Sequence, residues 1–113
     1  MRNLLLASFL LLLSASPLNA AVATWQSNSG GTEDGFNVYR AVKGGTFSVI
    51  GSTATNVLTF TDNTVVAGTV YCYKVTAFVN IPGAVAPDPT VKESGFSNTD
   101  CLPPAAPKKA QAN

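Results

Sequence analysis

Histidine is absent from this chain, and only 12% of its 113 residues are charged. Without histidine a serine has no imidazole base, so a Ser-His-Asp triad is excluded. Zinc takes about four ligands, and the chain offers two cysteines and no imidazole. Carboxylates are equally sparse: Glu33, Asp34, Asp62, Asp88, Glu93 and Asp100. Only Glu33 and Asp34 are adjacent, and neighbours in extended chain point apart, which makes a poor acid/base pair. No D-x-D-x-D-G loop gathers the roughly six oxygens that calcium requires. There is no phosphate-binding glycine loop, no C-x-x-C pair, no Arg-Gly-Asp triplet and no Asn-x-Ser/Thr sequon. The chain is therefore expected to be no enzyme and to hold no metal or cofactor. With a net charge of +1 and no basic cluster, nucleic acid and anionic membrane are poor partners.

What is present begins with a leader-like segment. Arg2 gives the first residues a positive charge, residues 4–13 are uncharged Leu, Ala, Ser and Phe, and residues 14–20 are small and polar with Pro17 among them. That order is the order of a secretory signal peptide. A membrane span needs roughly 20 apolar residues, so this run is too short for a stable span. Cleavage after Ala20 and cleavage after Ala23, in the literal Ala21-Val22-Ala23, both satisfy the small-residue rule. The first is expected, because residues 21–26 read as a strand. No cysteine follows the apolar run, so no lipid is attached there. Losing Arg2 with residues 1–20 balances the remaining charges. Export to an oxidising compartment makes a Cys72–Cys101 disulfide the default for the pair.

Beyond residue 20 helical signals are few. Short β-branched runs broken by Gly, Asn, Asp and Pro read as an all-β sandwich or barrel. Residues 21–26, 35–41, 47–50, 57–61, 70–78 and 96–102 are the expected strands. Period two puts Ala21, Ala23 and Trp25 on one face, Phe36 and Val38 on another, and Leu58 with Phe60 on a third. Trp25 is the expected core centre. Residues 70–78 alternate strictly, with Tyr71, Tyr73 and Val75 inward, and Cys72, Lys74 and Thr76 on a wet face. Gly51 is expected to close the third strand, and Arg40 to extend its head group to solvent. Residues 79–95 read as a long loop, 103 ends the domain, and 104–113 is a Pro/Ala/Lys tail expected to be disordered.

The order Trp25, Gly35-Phe36-Asn37-Val38-Tyr39-Arg40, Phe60-Thr61-Asp62, Val65-x-Ala67-Gly68-Thr69-x-Tyr71-x-Tyr73-x-Val75, then Glu93-Ser94-Gly95-Phe96-Ser97-Asn98 resembles the bacterial fibronectin type III domain. The likeness covers residues 21–102 and is most specific at Val65 to Tyr71, which looks like a tyrosine corner, where a Tyr bonds back to upstream backbone. It implies an immunoglobulin-like β-sandwich with a core of Trp25, Phe36, Val38, Leu58, Phe60, Val65, Tyr71, Tyr73 and Val75. It also implies strands B, C, C′, E, F and G, with strand A short or absent because the leader occupies its place. Pairing F with G so that Thr76 faces Ser97 and Lys74 faces Thr99 sets Cys72 opposite Cys101. An open strand B edge is a template for a partner strand.

Three contact readings follow. The leading one is a protein-interaction or structural module outside the cytoplasm. The second is surface-glycan contact through Tyr39 beside Lys74, on the exposed face of the C–F–G sheet. The third is a small inhibitor acting through the 79–95 loop, with Ile81, Val85 and Val91 as its apolar residues.

Overall fold

The computed structural model describes residues 10–15, 20–27, 32–87 and 90–102. Most of the expected leader, residues 28–31, Asp88-Pro89 of the long loop, and Pro103 with the expected tail at 104–113 lie outside the described residues. Eight strands make two antiparallel sheets. The first sheet has the order β1 (Leu10–Ala15), β2 (Ala21–Gln26), β5 (Thr59–Asp62). The second runs β4 (Ser48–Ala54), β3 (Gly35–Val42), β6 (Tyr71–Asn80), β7 (Val91–Glu93), with β8 (Asp100–Leu102) also paired to β6. This is an all-β sandwich.

The core lies between the sheets. Trp25, Phe36, Val38, Tyr71, Tyr73 and Val75 are buried together with Ala21, Ala23 and Ala77. Trp25 meets Phe36 edge-on, with ring centroids 5.5 Å apart, a geometry that the ring quadrupoles favour. Leu58, Phe60 and Val65 are only partly buried and flank this cluster.

Several boundaries differ from the sequence expectation. Strand β4 runs through Gly51 instead of stopping there. The β3–β4 register shifts between Val38, opposite Gly51, and Tyr39, opposite Val49, which leaves Ile50 as a bulge residue. The Phe60 ring lies on Gly51, where a Cβ would collide with it, so glycine here serves close approach of the sheets. Residues 79–95 are not one loop: β6 continues to Asn80, and β7 returns beside it, Phe78 opposite Glu93. The last strand is broken. Residues 94–97 follow β6 through serines: Ala77 N–H donates to Ser94 Oγ and Val75 N–H to Ser97 Oγ, each 2.9 Å. Regular pairing resumes only at β8, with Cys72 opposite Cys101. Their disulfide is formed, with Cα atoms 3.9 Å apart.

The largest correction concerns the first strand. The apolar run expected to be a leader supplies β1, which pairs along all of β2, Leu10 opposite Gln26 through to Ala15 opposite Ala21. In the intact chain β2 is therefore not an edge. A short apolar run suits a buried strand as well as it suits a leader, and periodicity does not separate the two.

Arg40 is also corrected. Its guanidinium does not lie free in solvent but donates to Asp62 Oδ2 at 2.8 Å and to Thr64 Oγ1 at 2.7 Å. It also stands 4.7 Å over the Tyr71 ring. Asp62, 4% exposed, accepts from Tyr73 Oη at 2.7 Å, Thr64 Oγ1 at 2.6 Å and the Thr64 N–H at 3.0 Å. Burial pushes the Asp62 carboxyl up, but these hydrogen bonds outweigh it and hold the group below its ordinary range. Burial and the Asp62 hydrogen bond raise the Tyr73 phenol. Nearby, the Val66 N–H donates to Tyr71 Oη at 3.2 Å, tying the start of β6 to the chain five residues upstream.

Two measurements test this account. Replacing both cysteines by alanine opens a loop with sequence separation 29 and should cost roughly 3–4 kcal/mol by the chain-entropy relation, read from urea unfolding. Asp62→Asn should cost about 1.5–3 kcal/mol at pH 7, the scale for hydrogen bonds to a charged group. A carboxyl depressed on folding stabilises fully above its unfolded pKa of about 4, and that stabilisation is lost as pH falls through the folded value. The gap between Asp62→Asn and the parent should therefore close under acid, and a gap unchanged at pH 2 would contradict the network.

Candidate functional site: the outer face of the five-stranded sheet

Direct pairing puts Val49, Tyr39 and Lys74 in one row across β4, β3 and β6, and Asn37 opposite Thr76 in the next. In an antiparallel sheet such cross-strand partners share a face. This face looks away from the core.

Two aromatic side chains from outside the regular strands close over the Tyr39–Lys74 row. Lys74 Nζ lies 3.7 Å from the centroid of Phe96 and 4.2 Å from that of Phe47, so its ammonium is held between two rings. Tyr39 meets Phe96 edge-on at 4.9 Å. Phe96 nevertheless remains 50% exposed, and Val49 beside it 51%. The result is an aromatic and aliphatic surface with one cation set into it.

Glu93 organises the polar side. Its Oε2 accepts from Asn37 Nδ2 at 2.9 Å, from Thr76 Oγ1 at 2.6 Å and from Tyr39 Oη. Ser52 Oγ donates to Asn37 Oδ1 at 2.7 Å, which orients the Asn37 amide toward Glu93. Burial pushes the Glu93 carboxyl up, yet the three hydrogen bonds, led by Thr76, hold it below its ordinary value. The Tyr39 phenol moves the other way. Burial raises it first, and the bond to Glu93 with that group's charge adds to the rise, against a smaller lowering by Thr76.

The face expected to be wet is thus largely covered. Thr76 is buried beneath the Glu93 cluster, and Cys72 is buried at the disulfide. The structure brings Tyr39 and Lys74 together. Ile81 is half-buried and its N–H donates to the Thr90 carbonyl at 2.8 Å, closing the base of the loop. Val85 is 72% exposed in that loop. Val91 belongs to β7, opposite Asn80, two residues from Glu93 and so on the same outer face.

Phe47, Phe96, Glu93 and Asn37 were not among the candidate contact residues. Phe96 is the instructive case. A regular strand over 96–102 in the Cys72–Cys101 register would set Phe96 opposite Ala77, an inward position. The serine-bonded stretch breaks that alternation and delivers the ring to the outer face. Ser94 and Ser97, two short side chains able to replace carbonyls in the ladder, were the available signal.

Glu33 and Asp34 have structural partners. Glu33, buried, accepts the Asn56 N–H at 2.9 Å, where Asn56 holds a left-handed φ of 62°. Asp34 turns to the far end of β6 and accepts the Asn80 N–H at 2.7 Å. The adjacent pair thus points apart. Among the described residues no group of three or more His, Cys, Asp or Glu is placed to hold a metal ion.

No family model matches the chain, and no curated protein sequence does either. Solved structures do. Two crystal structures of pectate lyase Pel3 from Pectobacterium carotovorum are similar at 26% and 25% identity, with TM-scores of 0.60 and 0.59. Each match covers 87% of this chain and 27% of the lyase, so the chain spans about a quarter of that enzyme's length. A structure described as a myokine is similar over 94% of this chain and 100% of its own, with TM-score 0.64 and 15% identity. That likeness is one of fold alone.

Substituting Glu93→Gln should lower the Tyr39 titration midpoint and leave Tyr73, whose acceptor is Asp62, in place. Ring-carbon NMR of the three tyrosines reads both at once. Equal movement of Tyr39 and Tyr73 would show that Glu93 does not set the Tyr39 phenol.

Proposed function

We propose that the chain is exported and that its mature part is a non-catalytic contact module of the fibronectin type III kind. The observation that carries this is the outer face, where Phe96, Phe47 and Tyr39 surround Lys74 with half of Phe96 left open. One exposed and two half-buried aromatic rings around a cation, on a sheet, suit binding. Among the described residues Asp62, Glu33, Glu93, Asp34 and Asp100 accept hydrogen bonds within the fold, which gives each of them a structural role. The disulfide is consistent with an oxidising, extracytoplasmic compartment, and among the described residues no helix is long and apolar enough to cross a membrane. Cleavage after Ala20 fits the sandwich better than cleavage after Ala23. The second cut would remove half of β2, including Ala21 and Ala23, each 2% exposed and paired with Asp62 and Phe60.

Carbohydrate contact is the second reading, and the likeness to part of a pectate lyase favours it. An accessory unit of an enzyme acting on pectate needs a platform for sugar rings and a cation for uronate carboxylates. Phe96, Tyr39 and Lys74 offer both.

A photoreactive phenylalanine analogue at position 96, in the exported chain made by its own host, should give adducts that the same analogue at position 85 does not. No adduct from position 96 would remove the contact reading. Affinity electrophoresis through pectate and through a neutral glucan separates the partners. Retardation by pectate that disappears in Phe96→Ala supports the glycan reading, and unretarded migration ends it. Depolymerisation of pectate by the purified chain would overturn the non-catalytic assignment.

A further inference from the structure

The leader does two things in the intact chain, and the second has a consequence for the mature one. Strand β1 covers the outer edge of β2 over its whole length. Leu11, Leu13 and Ala15 stand in register with Trp25, Ala23 and Ala21, the three buried positions of β2. Leu13 packs against the core cluster, and so does Leu102 of β8. β1 also approaches β8, so it closes the side of the sandwich where the two sheets meet.

We propose that removal of residues 1–20 uncovers a strand-acceptor edge on β2, filled by an extended antiparallel segment of another protein with a bulky aliphatic residue opposite Ala23. This rests on the leader being cleaved, as argued above. Two needs arise once β1 is gone. The first is hydrogen bonding. Trp25 N–H donates to the Leu58 carbonyl on the β5 side at 3.0 Å. Backbone groups alternate sides along a strand, so the N–H groups of Val22, Thr24 and Gln26 face the β1 side and lose their ladder. The second need is volume, because the place of the Leu13 side chain against the core falls empty. Water satisfies the first need and not the second.

A second copy of the chain fits poorly. Any β2–β2 pairing that keeps the inward faces aligned sets Ala21, Ala23 or Trp25 opposite Ala23. Methyl groups are too small to replace Leu13, and Trp25 is already packed against Phe36. A foreign strand with an aliphatic side chain at that one position, and apolar residues two places to either side, satisfies both needs. The outer aromatic face is carried by the other sheet, so the two surfaces can be occupied independently.

Exchange measured by NMR tests this on the exported protein, with the full chain as reference. Intact mass first shows whether the chain begins at Ala21, which decides the processing reading separately. If it does, the Val22, Thr24 and Gln26 amides should exchange at least about tenfold faster than in the full chain, while Ala23 and Trp25 stay protected. A synthetic peptide of residues 8–17 with flanking lysines should restore protection, and the same peptide carrying Leu13→Lys should not. Should the cleaved chain prove unfolded, refolding on addition of the first peptide alone supports the proposal, and failure to refold overturns it. Full protection of Val22, Thr24 and Gln26 without peptide overturns it, whether in a monomer or in a dimer seen by native mass spectrometry. In the full chain, Leu13→Asp should by itself release the same three amides. Unchanged exchange in that variant would show that Leu13 does not hold the strand.

Discussion

A single buried carboxylate joins the two sheets. Asp62 ends β5 in the first sheet, and its partners Arg40 and Tyr73 belong to β3 and β6 in the second. Apolar packing between sheets is non-directional and tolerates sliding. Hydrogen bonds from a guanidinium and a phenol to one oxygen do not tolerate it, so Asp62 fixes how β5 lies across β3 and β6. Thr64 supplies two further donors, which leaves the carboxylate compensated at both oxygens. A half-satisfied carboxylate at this depth would destabilise the sandwich. Tyr71, two residues from Tyr73, lies under the Arg40 guanidinium and receives the Val66 N–H. The segment between β5 and β6 is thus held at both ends of one network, and β6 starts at a fixed place.

Everything on the outer face inherits its position from that start. Strand β6 is the hub of the second sheet, paired with β3 on one side and with β7 and β8 on the other. Its register sets Lys74 opposite Tyr39, Thr76 opposite Asn37 and Cys72 opposite Cys101. The disulfide pins β8 and Glu93 pins β7. The six residues between these two strands must bridge two registers, because β7 pairs two residues out of step with β8. Serine hydroxyls absorb the mismatch and Phe96 is turned outward. The aromatic surface is a by-product of a register conflict that is fixed at both ends.

Much of this was legible in the sequence, for identifiable reasons. Strict alternation over residues 70–78 marked β6, and the paired cysteines gave the β6–β8 register, because period two leaves one choice once two residues are tied. The gap between the expected strands 35–41 and 47–50 marked the β3–β4 turn, where Gly44 takes φ 86°. The rest depended on terms that local patterning does not encode. Gly51 looked like a terminator because glycine lacks β propensity, whereas its role is to admit the Phe60 ring from another sheet. Arg40 looked solvent-bound because its acceptor lies 22 positions away. Glu93 looked like a loop carboxylate because its three donors come from two other strands.

The apolar run near the N-terminus fits two roles, the proposed export signal and the observed strand β1. To an export apparatus, uncharged Leu, Ala, Ser and Phe are a hydrophobic stretch between a basic start and a small-residue cut site. To a sandwich with an unfilled edge, the same residues are a strand whose alternate positions meet Ala21, Ala23 and Trp25. The requirements are compatible because both ask for short, uncharged and aliphatic chain, and neither asks for a particular residue except where Leu13 meets the core. What separates them is time. While residues 1–20 are attached, the edge is closed in cis at high effective concentration. If they are cut, as proposed, that local concentration is lost, and the same strand holds the edge only when it is supplied as free peptide at high concentration. Covalent attachment keeps β1 on the edge of β2, and under the proposed cleavage an edge that is complete with β1 would be left incomplete.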